Sequence, residues 1–373
     1  MATPILQSSH RGLRERVQHI NWFLILALTI LAGAGTATLF SVAGGSWTPW
    51  AIKHAARYGV ALVLLIGIGL VNIRHWMKLA YPIYFLALLA LAAVPFIGSV
   101  NQGAQRWLEF GSFQFQPSEA MKIGLVMALA KYYHGLRAEQ VSHFFYLIAP
   151  LLMIGAPVGL VFIQPDLGTA ILLASTGAAI VFVAGLSWRI GFLGVLTAIF
   201  GAYGAYRFDI LKPYQLERIL TFMNPERDPL GQGYHLTQSK IALGSGGLSG
   251  KGYMEGTQSQ LKFLPEMHTD FIFTIFGEEF GFIGAIALLL TYLSVILAGV
   301  GVALKSKNHF ARLTVIGVCV TFASYVLINT GMVMGMAPVV GVPLPLVSYG
   351  GTVMLTIMGG FGLVMSAHIY NEK

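Results

Sequence analysis

Charge is scarce in this sequence. Aspartate, glutamate, lysine and arginine make up 10% of its 373 residues, where a soluble domain carries about 25%. The hydrophobic set accounts for 56%, and the mean hydropathy is +0.71. No water-soluble core of this length could hide so much apolar surface, which excludes the ordinary globular classes. A bilayer removes the problem, because lipid is then the solvent. Cysteine is scarcer still. Cys319 is the single one, so an internal disulfide framework and a cysteine zinc cluster are excluded; lying in an apolar run, it reads as a small packing residue. Acidic residues are outnumbered 15 to 23 by Lys and Arg, for a formal net charge of +8. No nucleic-acid module accompanies that excess. Basic residues flanking apolar runs suit lipid headgroups or anionic substrates instead.

What is abundant is apolar sequence in span-length runs. A membrane helix needs about 20 such residues, and the runs fall at roughly 21–41, 52–71, 78–97, 118–134, 144–163, 168–185, 190–206, 270–303, 312–335 and 348–368. The fold class expected is therefore an all-α integral membrane protein of about ten transmembrane helices, a single domain over 1–373. The eighth run is long enough to tilt or to extend beyond the lipid. The polar N-terminus is followed by a run of full span length without a cleavage site, so it reads as a first span and not a removed signal peptide.

Orientation follows from the short loops. Alternating sides from the N-terminus, one side collects Arg11, Arg14, Arg16, Arg74, Lys78, Lys131, Arg137, Arg189, Lys305, Lys307, Arg312 and Lys373; the other holds Lys53, Arg57, Arg106 and Lys122. The first is expected to be cytoplasmic, with both termini inside. A large extracytoplasmic loop, 207–269, then joins helices 7 and 8. It is too long for a connector and holds Pro213, Pro225, Pro229 and Pro265, a glycine-dense stretch and helical pieces such as 232–242. It is expected to form a partly ordered functional cap.

Ionisable groups at membrane depth are costly and mark candidate sites. Arg106, Glu119 and Lys122 lie in QRWLEFGSFQFQPSEAMK; Pro117 and Glu119 suit a helix start, whereas Lys122 opposes the helix dipole. Glu119 and Lys122 share a face, as a structural bridge or as a substrate contact. Asp166 in QPDLGT reads as a helix cap or as a site carboxylate. Asp270, in LPEMHTDFIFTIFGEEFG, reads as an N-cap or a reactive group at the outer end of the eighth helix, with Thr274, Gly277 and Gly281 on its face; Glu278 and Glu279 lie about two turns deeper. The topology brings Glu119, Asp166 and Asp270 to one membrane face with Arg106 and Lys122. Cations could hold phosphates there, a carboxylate could take a proton from a hydroxyl, and two carboxylates could share a divalent cation, Mg or Mn. GSGGLSGKG is not a phosphate loop, because Ser245 stands where its first glycine belongs and Gly252 follows Lys251.

At these residues the chain resembles the SEDS family over nearly its whole length. The resemblance is most specific in NPERDPLGQGYHLTQSKIALGSGGLSGKG, in QLKFLPEMHTDFIF followed by GEEFG, and in NTGMVMGMAPVVGVPLPLVSYGGT; QRWL, QPSEAMK and QPDLGT match in order and spacing. The version of QSQLKFLPEMHTDFIF favours the elongation branch over the division branch, and Met267 departs from the basic or small residue common in relatives. The resemblance implies a peptidoglycan glycosyltransferase that polymerises lipid II at the outer face of the inner membrane during elongation and rod-shape maintenance. It also implies a class B penicillin-binding protein and other elongation-complex proteins as partners. The family's essential aspartate maps to Asp270 as general base. Arg106, Lys122, Arg218 and Lys251, with His268, are expected to meet the pyrophosphate-bearing substrate, while Glu119 and Asp166 orient Lys122 or hold the cation. Two rivals are a lipid II flippase and an inert scaffold whose small-residue eighth and ninth helices pack against a partner. A flippase should carry polar groups toward both faces; the strongest cluster lies at one face only, which favours the enzyme.

Overall fold

A computed structural model describes residues 13–101, 104–110, 113–208, 213–228, 231–257, 260 and 267–371. Arg11, Lys373, Pro229, Pro265 and most of QLKFLPE lie outside the described residues. A short helix α1 (Leu13–Gln18) precedes α2 (Trp22–Val42), α3 (Ala51–Leu70) and α4 (Ile73–Ile97). Strands β1 (Ser99–Asn101), β2 (Ala104–Phe110) and β3 (Phe113–Phe115) follow. Then come α5 (Pro117–His134), a single turn α6 (Ala138–Val141), α7 (Phe144–Ile163), α8 (Leu167–Val183) and α9 (Trp188–Arg207). The large loop contributes α10 (Pro213–Met223), a 3-10 turn (Pro225–Arg227) and α11 (Gln232–Ser245). The chain finishes with α12 (Ile272–Lys305), α13 (His309–Val333) and α14 (Gly351–Ile369).

Among the described residues ten long helices thus occupy the ten apolar runs, and eight are long and apolar enough to cross a membrane by length and composition. The other two are α5, which carries Glu119, Lys122 and Lys131, and α8, which has 17 residues. The all-α expectation holds, with one small sheet beside the helices. The segment between α4 and α5 forms a three-stranded antiparallel sheet, with Leu108 opposite Phe115 and Glu109 opposite Gln114. In a strand alternate side chains face opposite sides; in QRWLEF this buries Leu108 and leaves Glu109 exposed.

Lipid supplies no hydrophobic drive between helices, so close approach of small residues matters more. Helices α3 and α14 show this: a Cβ on Gly362 would lie 2.7 Å from Ile68 Cβ and 3.0 Å from Leu65 O. Proline sits inside α4 (Pro82, Pro95) and α7 (Pro150, Pro157), as membrane helices tolerate.

The long eighth span is broken. At 34 residues, α12 would run about 50 Å if straight, against about 30 Å of hydrocarbon. Gly281 interrupts it with φ 67°. The glycine-dense turn after α11 fills the break. Phe282 and Ile283 amides donate to Gly247 O (2.9 Å) and Leu248 O (3.1 Å), while Lys251 and Gly252 amides donate to Glu278 O (3.0 Å) and Glu279 O (3.1 Å). The loop supplies the hydrogen bonds the helix gives up. The small face of α12 is likewise occupied from within the chain. Ser239 Oγ of α11 lies 2.7 Å from Thr274 Oγ1, and a Cβ on Gly277 would strike Leu243 Cδ2 at 2.5 Å.

Gly250 is the tightest point of this docking. Its φ is +80°, and a Cβ there would lie 2.1 Å from Glu279 O. Gly250→Ala should cost at least about 2 kcal/mol, read as a lower unfolding temperature in detergent. An unchanged temperature would show that the loop does not brace the break.

Candidate functional site

The loops at one end of the bundle enclose a cavity of about 980 Å³, lined by Arg57, Arg106, Arg218, Glu109, Glu119, Asp166 and Asp270 among others. Five of the eight candidate residues meet on its wall. They come from β2, α5, the start of α8, α10 and the turn before α12, which local sequence could not bring together.

Asp270 precedes the helix; the residue in the N-cap position is Phe271. The turn 267–271 is clamped by polar groups around the α13–α14 connection. Asn329 Nδ2 donates to Asp270 O (2.8 Å) and to Val342 O (2.7 Å), Ser348 Oγ donates to Thr269 O (2.6 Å), and Tyr349 N donates to His268 O (2.9 Å). Three consecutive carbonyls are therefore fixed, which aims the Asp270 side chain at the cavity. Its Oδ2 passes 3.4 Å from where a Cβ on Gly341 (φ +73°) would stand. Met267 is buried and does not line the cavity.

Asp166 is both a cap and a wall residue. It accepts from Thr169 N (3.1 Å) and Thr169 Oγ1 (2.9 Å) at the start of α8, and its Oδ2 lies 3.7 Å from Arg106 Nη1. Arg106 is held further by Pro165 O (2.5 Å) and Gln164 O (3.4 Å). A guanidinium fixed at three points on a cavity wall is preorganised for phosphate oxygens. Arg57 is a second such group, its guanidinium 4.7 Å from the Tyr349 ring centroid. Sequence reasoning counted Arg57 for topology and missed it for the site. Its signal was a cation on the side of the membrane where few occur. Arg218 brings a third guanidinium from α10.

Three candidates stand elsewhere. Lys122 is 1% exposed, beneath the floor made by Glu119 and Tyr325. It donates to Glu119 Oε1 (2.6 Å) and to Tyr325 Oη, and Tyr325 Oη donates in turn to Glu119 (3.1 Å). The bridge reading of this pair is the one its geometry matches. Lys251 does not line the cavity. Its Nζ donates to Glu278 Oε1 (2.7 Å) and Thr257 Oγ1 (2.7 Å), locking the loop docked on α12. His268 stacks on Trp50 at 4.7 Å and packs near Tyr349, behind the wall. Glu279, the other deep carboxylate, accepts from Ser41 Oγ.

Among the described residues no three His, Cys, Asp or Glu side chains converge as a metal-ligand set. Glu119 and Asp166 are paired with Lys122 and Arg106. The end opposite Asp270 carries a second cavity with polar lining. Between the two, buried Leu125, Val126, Leu129, Val318 and Phe322 fill the interior, and a void of about 20 Å³ beside Lys122 has room for about one water.

Comparison with known proteins places this architecture. Residues 17–373 match the sequence profile of the FtsW/RodA/SpoVE cell cycle protein family. The chain is 39% identical to peptidoglycan glycosyltransferase MrdB of Escherichia coli K12 over 361 residues, 95% of each chain. It is 32% identical to stage V sporulation protein E of Bacillus subtilis, over 94% of this chain and 97% of that one. Among solved structures, it resembles a chain of a peptidoglycan synthase complex that coordinates polymerization and crosslinking, with TM-score 0.82, 32% identity and coverage of 94% and 97%. It also resembles the rod shape determining protein RodA of Thermus thermophilus, with TM-score 0.71, 28% identity and coverage of 95% and 98%. The chain belongs to the FtsW/RodA/SpoVE family, the SEDS family of its motifs.

Proposed function

We propose that this protein is a peptidoglycan glycosyltransferase of the elongation type, which polymerises lipid II in the Asp270 cavity at the outer face of the cytoplasmic membrane, with both termini inside. The observation that carries this reading is a clamped aspartate sharing one cavity wall with three guanidiniums. The 4-hydroxyl of the N-acetylglucosamine in an incoming lipid II attacks the anomeric carbon of the growing, lipid-linked chain, with inversion. Asp270 takes the hydroxyl proton as the new C–O bond forms. The bond to pyrophosphate breaks, and undecaprenyl pyrophosphate leaves with its charge met by Arg106, Arg57 and Arg218. A base contributes about 10²–10⁴-fold; positioning and leaving-group stabilisation supply the remainder. A divalent cation, Mg or Mn, belongs to this reading as an ion carried on the pyrophosphate, since such ions bind substrate phosphates as readily as protein cages.

A class B penicillin-binding protein is the proposed partner, alongside other elongation-complex proteins. Two surfaces support this. None of the described residues of α9 is buried, and α12 exposes Phe282, Ile283, Leu290 and Leu297. A partner's membrane helix could cover either in place of lipid.

The test is to supply purified lipid II to the protein with its partner. Glycan polymer should form, and a chelator should lower its yield. Scrambling of lipid II across liposomes without polymer would establish the flippase reading instead.

A further inference from the structure

The second cavity, at the end of the bundle opposite Asp270, has a volume of about 650 Å³. It lies among the α3–α4 turn, the end of α5, the α12–α13 turn and the end of α14. Arg74, Lys307, Arg312, His134 and His309 line it, and none of its lining residues is aspartate or glutamate. This concentrates positive charge in a concave space within the size range of ligand pockets, about 300–1,000 Å³.

The two helices that begin at this cavity show the same bias. Asn72 caps α4, accepting from Arg74 N at 2.9 Å; Asn308 caps α13, accepting from Phe310 N at 2.9 Å. A helix start favours acidic residues, yet neither helix has one in its first turn. Arg74 and Arg312 stand there instead, each opposed by the dipole of its own helix. An anion seated in the cavity would meet both helix starts and both guanidiniums at once. Surface cations that only greet headgroups would extend outward from the bundle; these line a recess.

We propose that this cavity binds a phosphate-bearing anion, either the headgroup of an anionic phospholipid from the adjoining leaflet or a soluble phosphate compound. By the topology above that leaflet is the cytoplasmic one. The buried apolar residues between the cavities make this site separate from the sugar-transfer site, so it stands whether or not Asp270 is the catalytic base.

The experiment uses the full chain in detergent, with lipid retention read by native mass spectrometry. The wild type should retain phosphatidylglycerol about tenfold more tightly than phosphatidylcholine. Arg74→Gln/Arg312→Gln should abolish that preference, and Arg74→Lys/Arg312→Lys should keep most of it. If the glutamine pair does not fold, Lys307→Gln, in the turn between helices, should still weaken retention by about threefold. Inorganic phosphate that displaces the lipid, and raises the unfolding temperature in the wild type but not in Lys307→Gln, assigns the site to soluble phosphate compounds. Lipid retention that phosphate leaves unchanged assigns it to the membrane. Equal retention of both lipids with no effect of phosphate overturns the proposal. So does a phosphatidylglycerol preference that survives both the glutamine pair and Lys307→Gln.

Discussion

Asp270→Asn should lose about 10²–10⁴-fold in lipid II polymerisation while folding and assembling as the wild type does. Asparagine matches aspartate in size, and the bonds that fix the turn run to main-chain carbonyls of His268, Thr269 and Asp270, which the substitution leaves intact. What it removes is the capacity to accept a proton. Asp270→Glu keeps that capacity but lengthens the side chain beside Gly341, so its activity should fall between the two. Polymer length and yield on gels, alongside the unfolding temperature, separate these effects. Normal polymer from folded Asp270→Asn would leave the cavity without its base.

Lys122→Met should be the most destabilising substitution in the floor of the site, by about 3–5 kcal/mol. The ammonium is buried with Glu119 and Tyr325. Methionine would fill most of the volume but leave the Glu119 carboxylate buried with the Tyr325 hydroxyl as its remaining partner. Pairing it with Glu119→Gln removes that stranded charge, so the double variant should be more stable than Lys122→Met alone. Unfolding temperatures in detergent for the four members of the cycle measure the coupling. If Lys122 were instead a phosphate ligand, Lys122→Met would fold normally and lose substrate binding.

These two residues show how far the sequence could be read. The spans were legible because each apolar run exceeds what a soluble core uses, and all ten became helices. Asp166 was legible as a cap, and its second contact, with Arg106, required β2 to be folded against the start of α8. Lys251 followed a glycine-rich stretch and looked like a phosphate ligand; its partner Glu278 is 27 residues away, a separation no local pattern reports. The sheet before α5 was missed because its strands are short and lie between two long apolar runs. The break at Gly281 was missed because a glycine inside an apolar run reads equally well as a packing residue. Lys122 pointed to the right region, but depth beneath a cavity floor is a tertiary property.

Lipid-linked sugar should bind between Asp270 and the guanidiniums of Arg57, Arg106 and Arg218. A structure of the protein with its partner and a lipid-linked sugar bound tests this directly. The pyrophosphate should lie within contact of those arginines and the attacking 4-hydroxyl within hydrogen-bond reach of an Asp270 oxygen, about 2.6–3.2 Å. A sugar bound in this complex with its pyrophosphate away from all three arginines, or with Asp270 turned from both sugars, would contradict it.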